Sequence, residues 1–127
     1  MHKLEKIAEQ IRQKFDLRTA MRDQALTQAR QLTRACSLAI RAVHRDDKEI
    51  MEVQLAEAHV LADKLHEELE HHPDLFFAGY TQDALKEFVE ANITCALIQN
   101  QPLLTPEELH VEESTYLNGL AEVVGEL

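Results

Sequence analysis

The sequence predicts an all-α fold, an antiparallel helical bundle. Three observations carry this. Helix breakers are scarce, with three Gly and three Pro in 127 residues. Apolar residues recur at helical spacing over long stretches. The gaps between those stretches hold recognisable start and stop signals. A chain of this length forms a single domain, 1–127, large enough for a core without staples.

A first helix is read over residues 2–15, with Leu4, Ile7, Ile11 and Phe15 on one narrow stripe. Asp16 interrupts it or caps the next. A long second helix follows from about Leu17 to His44, with Met21, Ala25, Ala29, Leu32, Cys36, Ala39, Ile40 and Val43 in register. Asp46-Asp47 break the pattern and cap a third helix, about Lys48 to Glu70, with Val53, Ala56, Val60, Leu61, Leu65 and Leu69 apolar. His72 precedes Pro73, and a residue before Pro is pushed out of helical geometry. Gly79 either ends a short turn or sits inside one longer helix from Pro73 to Gln99, and the longer helix is the preferred reading because Pro is accommodated in a first turn. Asn100-Gln101-Pro102 ends it. Thr105-Pro106-Glu107-Glu108 is a full start signal: cap, Pro at the first position, and Glu three after the cap. That opens a short helix, and a last one runs from about Glu113 to the end.

Residues 81–98 organise the rest. Ala84, Leu85, Phe88, Val89, Ala91, Ile93, Ala96 and Leu97 make this the buried central helix. Yet Glu87 and Glu90 share one face of it. A carboxylate rarely enters a core unless it is paired or binds a metal. The last helix carries a second pair, Glu122 and Glu126. Four carboxylates converging between packed helices suit Mg²⁺ or Mn²⁺, which take hard oxygen ligands. A competing pattern is Asp/Glu-x-x-His, at Asp63/His66, Glu68/His71 and Glu107/His110, the ligand unit of di-iron bundles. There is no Gly-rich phosphate loop, no Cys-x-x-Cys pair and no Gly-x-Ser-x-Gly turn.

The net charge is −10, but residues 1–45 hold ten Lys/Arg against four Asp/Glu, while 46–127 hold three against nineteen. Such a split suits an anionic partner on the basic side, or simply a basic helix packed on acidic ones. Arg30, Arg34, Arg41 and Arg45 fall within about 60° on one helix face, a candidate nucleic-acid contact. Cys36 and Cys95 read as buried thiols of a reducing cytoplasm, so the expected location is cytoplasmic. No run reaches membrane-spanning length and no signal-peptide pattern is seen, so no membrane partner is expected.

Four segments resemble the translin superfamily, and more its Trax (translin-associated factor X) side. Ala29-Arg30-Gln31-Leu32-Thr33 through His44-Arg45 resembles the family's long second helix. Leu85-Lys86-Glu87-Phe88-Val89-Glu90-Ala91 is similar to the Trax segment with its Glu-aromatic-Val-Glu-Ala frame. Leu104-Thr105-Pro106-Glu107-Glu108 resembles the short helix that follows. Tyr116-Leu117-Asn118-Gly119-Leu120-Ala121-Glu122 through Gly125-Glu126-Leu127 resembles the Tyr-Leu-x-Gly…Gly-Glu-Leu helix.

The resemblance implies an all-α, translin-like fold, hollow oligomers (octamers in known cases) and binding of single-stranded RNA or DNA. For Trax-type subunits it implies Mg²⁺-dependent endoribonuclease activity, with Glu87, Glu90, Glu122 and Glu126 as metal ligands and catalytic residues. The chain departs from the pattern at three places. Glu122 stands where the Trax motif has Asp. Phe76, Ala78, Tyr80 and Gln82 replace the translin-type basic cluster. The family's further C-terminal helices are missing.

The leading expectation is thus a metal-dependent nuclease subunit in a homo-oligomer. The alternatives are a non-catalytic nucleic-acid-binding protein of the same fold and a plain helical oligomerisation scaffold.

Overall fold

The computed structural model describes residues 2–126. Met1 and Leu127 lie outside the described residues, and with Leu127 the final residue of the last helix read above. Six helices follow in order: α1 (His2–His44), α2 (Lys48–Leu69), α3 (Pro73–Phe76), α4 (Gly79–Ile98), α5 (Pro106–Leu109) and α6 (Glu113–Glu126). The described residues include no strand.

Two boundaries differ from the sequence reading. Residues 2–44 form one helix, not two. Asp16 does not interrupt it, because Arg12 donates to Asp16 at 3.0 Å and also pairs with Glu9. An Asp in a helix interior costs only a few tenths of a kcal/mol more than a good helix former, which this ladder of charges offsets. Conversely, residues 73–99 do not form one helix. Phe77 leaves helical geometry and Ala78 is extended at ψ 147°. The carbonyls freed there find side-chain donors: Thr81 Oγ1 donates to Leu75 O and Gln82 Nε2 to Phe76 O, both at 2.8 Å. Those two side chains make the break affordable in hydrogen bonds.

α1, α2 and α4 make the antiparallel bundle, up, down and up. The first turn uses a left-handed residue, Asp46 at φ 60°, with Asp47 N–H bonding Ala42 O at 2.8 Å. Asp47 then caps α2, its Oδ1 accepting from Ile50 N–H at 3.2 Å. Asn100 and His110 repeat the left-handed stop at φ 56° and 55°. α5 starts in the expected capping box of Thr105 and Glu108.

Helix α4 lies at the centre. Leu85, Phe88, Val89 and Ile93 are fully buried against Leu32 of α1 and Leu65 of α2. Several of the polar groups taken inside are bonded. The His59 ring nitrogen meets Asn92 Oδ1 at 2.8 Å, and Asn92 Nδ2 donates to Phe88 O at 2.8 Å. Gln28 donates to Glu68 at 2.6 Å. Cys36 and Cys95 are buried free thiols, as read from the sequence, and burial raises the pKa of both.

Residues 99–112 run back along the bundle. His66 on α2 bonds the His110 carbonyl, and Tyr116 donates to Leu104 O at 2.8 Å. α6 therefore starts at the same end as α4 and runs beside it in the same sense. Thr115 faces Gln82, Gly119 faces Val89, and Glu122 reaches Lys86.

The predicted stripe of Leu4, Ile7, Ile11 and Phe15 is real but uncovered, each residue 44–59% exposed. α1 spans about 64 Å and α2 about 33 Å, so α1 outruns its partner by nearly half its length. Val53 and Val60 on α2, and Leu117 and Val124 on α6, are exposed as well. Among the described residues no helix is long and apolar enough to cross a membrane.

An isolated helix of about a dozen residues is marginal in water. Amide exchange in dilute solution should therefore be fast over residues 2–14 and slow over 25–43. Equal protection of both halves at low protein concentration would contradict this account of α1.

Candidate metal centre

The site is built where α6 meets α4. Gly119 sets the distance. A Cβ at that position would lie 2.7 Å from Val89 Cγ1, 2.8 Å from Val89 Cβ and 3.1 Å from the Lys86 carbonyl. Only hydrogen fits, so the two backbones approach unusually closely. One turn beyond Gly119 comes Glu122, and a turn later Glu126. On α4, Glu90 lies one residue past Val89. The close approach thus fixes the spacing of the acids.

Glu90 is the buried member, 7% exposed, and its Oε2 has no hydrogen-bond partner. One carboxylate oxygen each from Glu90, Glu122 and Glu126 lies within 4.8 Å of the others. Glu122 and Glu126 are exposed, so the last helix presents its pair from the outer rim, not from an inward face as the sequence reading had it. Glu87 is half-buried and stands beside Glu90, outside this set of three.

Burial pushes the Glu90 pKa up to about 7. The Glu87 carboxyl adds to this by hydrogen-bonding the protonated form and repelling the ionised one. Lys86 opposes the shift, and Glu122 adds a further push. Lys86 is the cation of the site, its Nζ 3.7 Å from Glu122 Oε1. Glu122 is half-exposed, so this pair contributes little stability. The set offers hard oxygen donors only, one of them buried with an unsatisfied oxygen, and so fits Mg²⁺ or Mn²⁺.

Arg30, Arg34 and Arg41 are exposed on α1, Arg45 is exposed in the turn just past its end, and none of the four is in an ion pair among the described residues. The Asp/Glu-x-x-His pairs do not assemble. Asp63, His71, Glu107 and His110 are exposed, and Glu68 is held by Gln24 and Gln28. His66 is half-buried, and its pKa is lowered by burial and by His110. Among the described residues the three glutamates are the one cluster of three or more ligand groups.

The sequence reading did not single out Lys86 or the packing role of Gly119. A lone Gly inside a periodic helix was the available signal, since it costs about 1 kcal/mol against Ala unless close packing needs it.

Gly119→Ala should lower stability by about 1–3 kcal/mol through overpacking, read as a shift in the urea midpoint. Because it also parts α4 from α6, it should weaken divalent-cation affinity. The titration of Glu90 has a definite sign. Its pKa is about 7 folded against 4.5 for the unperturbed group. Below pH 4.5 it is protonated in both states and neutral to stability. As pH rises toward 7 the unfolded chain ionises first, and the fold loses stability. In metal-free buffer Glu90→Gln should therefore be more stable than wild type at pH 8, on the order of 1 kcal/mol after solvent screening, and no more stable at pH 4. Denaturant midpoints at the two pH values check this.

No protein-family profile matches the chain. It is 34% identical over 110 residues to the uncharacterised protein MJ0175 of Methanocaldococcus jannaschii, a match covering 85% of this chain and 48% of that protein. The chain thus spans about half the length of that relative. The crystal structure of apo-NeC3PO, a translin-family protein, matches 93% of this chain and 62% of its own, with a TM-score of 0.84 at 21% identity. Identity at that level speaks for architecture alone: this chain has the all-helical translin fold.

Proposed function

We propose that the chain is a Trax-like subunit of the translin superfamily, a Mg²⁺- or Mn²⁺-dependent endoribonuclease acting on single-stranded RNA. The observation that carries this is the buried, half-unsatisfied carboxylate of Glu90 converging with Glu122 and Glu126. Glu90, Glu122 and Glu126 would hold the cation, which when bound supplies charge neutralisation and electrophilic activation for phosphodiester cleavage.

The other roles belong to the chain's own groups. Glu87 lies next to the cluster without being one of the three, and takes the proton from an attacking water. Lys86 offers a positive charge close to Glu122, where negative charge develops on phosphate oxygens. Arg30, Arg34 and Arg41 on α1, with Arg45 in the turn just past its end, hold backbone phosphates. The uncovered stripe of α1 supports a homo-oligomer, since apolar surface of that extent marks an association face.

A second reading keeps the fold and the nucleic-acid contact but drops catalysis. It is favoured by the exposure of Glu122 and Glu126, because exposed carboxylates often cluster without an ion, and by Lys86 already facing Glu122.

The test is cleavage of a single-stranded oligoribonucleotide with Mg²⁺, with Mn²⁺ and with chelator. Activity should appear only with the cation, and Glu90→Gln or Glu122→Gln should lower it about 100-fold or more. The same variants should lose the stabilisation by Mn²⁺ seen in wild type, about 2.7 kcal/mol at a hundred times Kd. Replacing two of the four Arg by Ala should flatten the salt dependence of binding by about one unit per lost phosphate contact. Cleavage by both glutamine variants at the wild-type rate would overturn the metal-site assignment, and no cleavage by wild type with either cation would leave the non-catalytic reading.

A further inference from the structure

A groove lies between α1 and α4, with a volume of about 370 Å³. Its floor is the buried methyl groups of Ala29 and Ala84, small enough to leave room between the helices. Arg30 and Thr33 stand on the α1 rim, and Tyr80, Asp83 and Glu87 on the α4 rim. Residues on each rim are three or four apart, so one face of each helix builds it.

Three properties of this groove point to one ligand class. Arg30 is exposed and forms no ion pair with Asp83 or Glu87, so an unpaired cation stands across the cleft from the exposed Asp83 carboxylate. The Tyr80 hydroxyl is buried with no hydrogen-bond partner among the described residues. A polar group in that state costs about 1–3 kcal/mol until something satisfies it. Finally, Glu87 closes the groove at the end nearest Glu90, so whatever lies in it leads to the carboxylate cluster.

A ligand for this groove needs an anion for Arg30, a hydroxyl donor for a carboxylate, and an apolar face for the alanine floor and the Tyr80 ring. A ribonucleotide unit has all three. A deoxyribonucleotide lacks the hydroxyl beside its phosphate. We infer that the α1–α4 groove is a ribonucleotide site in which Asp83 accepts from the sugar 2′-hydroxyl while Arg30 holds the adjoining phosphate. The site discriminates RNA from DNA and leads the strand toward the glutamates. This rests on the proposal that the chain binds single-stranded nucleic acid.

The experiment is fluorescence anisotropy with one sequence made as RNA, as DNA and as 2′-O-methyl RNA, in Ca²⁺. Wild type should bind the RNA ~10-fold tighter than either other strand, the size of one hydrogen bond to a charged group. Asp83→Ala should bring that ratio close to one, and Asp83→Asn should keep part of it, since an amide oxygen still accepts. Tyr80→Phe should lower RNA affinity severalfold. Glu49→Ala on α2, which removes the same charge away from the groove, should leave the ratio unchanged. A ratio that persists in Asp83→Ala, or equal binding of all three strands by wild type, overturns the groove assignment and leaves cation-dependent cleavage standing. No binding of any strand overturns the nucleic-acid reading along with it.

Discussion

The contact between Gly119 and Val89 is the constraint on which the site depends. A methyl at 119 would overlap a side chain whose own position is fixed, because Val89 is fully buried in the α4 core. Neither partner has room to yield, so the helix spacing is set by sterics rather than by any attraction between the acids. This matters because the acids repel. Glu90, Glu122 and Glu126 are held together by packing of their apolar neighbours, and the Glu90 carboxyl shows the cost: burial raises its pKa most, Glu87 raises it further, and Glu122 adds the last push. A cation held there would relieve that conflict.

The fold was legible where local signals were strong. Asp46, Asn100, Pro73 and the Thr105 capping box all end or begin helices in the structure. It was misread where tertiary chemistry overrode them. Asp16 looked like a stop, but Arg12 reaches it along the same helix. Residues 77–78 looked continuous, but Thr81 and Gln82 supply bonds that a periodicity count does not contain. Of the site, the four glutamates were visible as paired acids on apolar helices. Their unequal burial was not, because it depends on the parallel course of α6, set by the returning segment 99–112. The groove residues Tyr80 and Asp83 gave no sequence signal at all, since their meaning comes from α1 lying opposite.

The basic helix and the acidic body have an electrical consequence for encounter. Ten of the thirteen Lys/Arg lie in residues 1–45 and nineteen of the twenty-three Asp/Glu lie beyond them, so the molecule is a strong dipole despite its net charge of −10. A polyanion drifting toward it is turned before it touches, attracted on the α1 side and repelled from the others. That bias shrinks as the Debye length shortens, from about 10 Å at 0.1 M salt to about 3 Å at 1 M. Arg30, on the α1 rim of the groove, belongs to that attractive side, while Asp83 and Glu87 on the opposite rim belong to the acidic one.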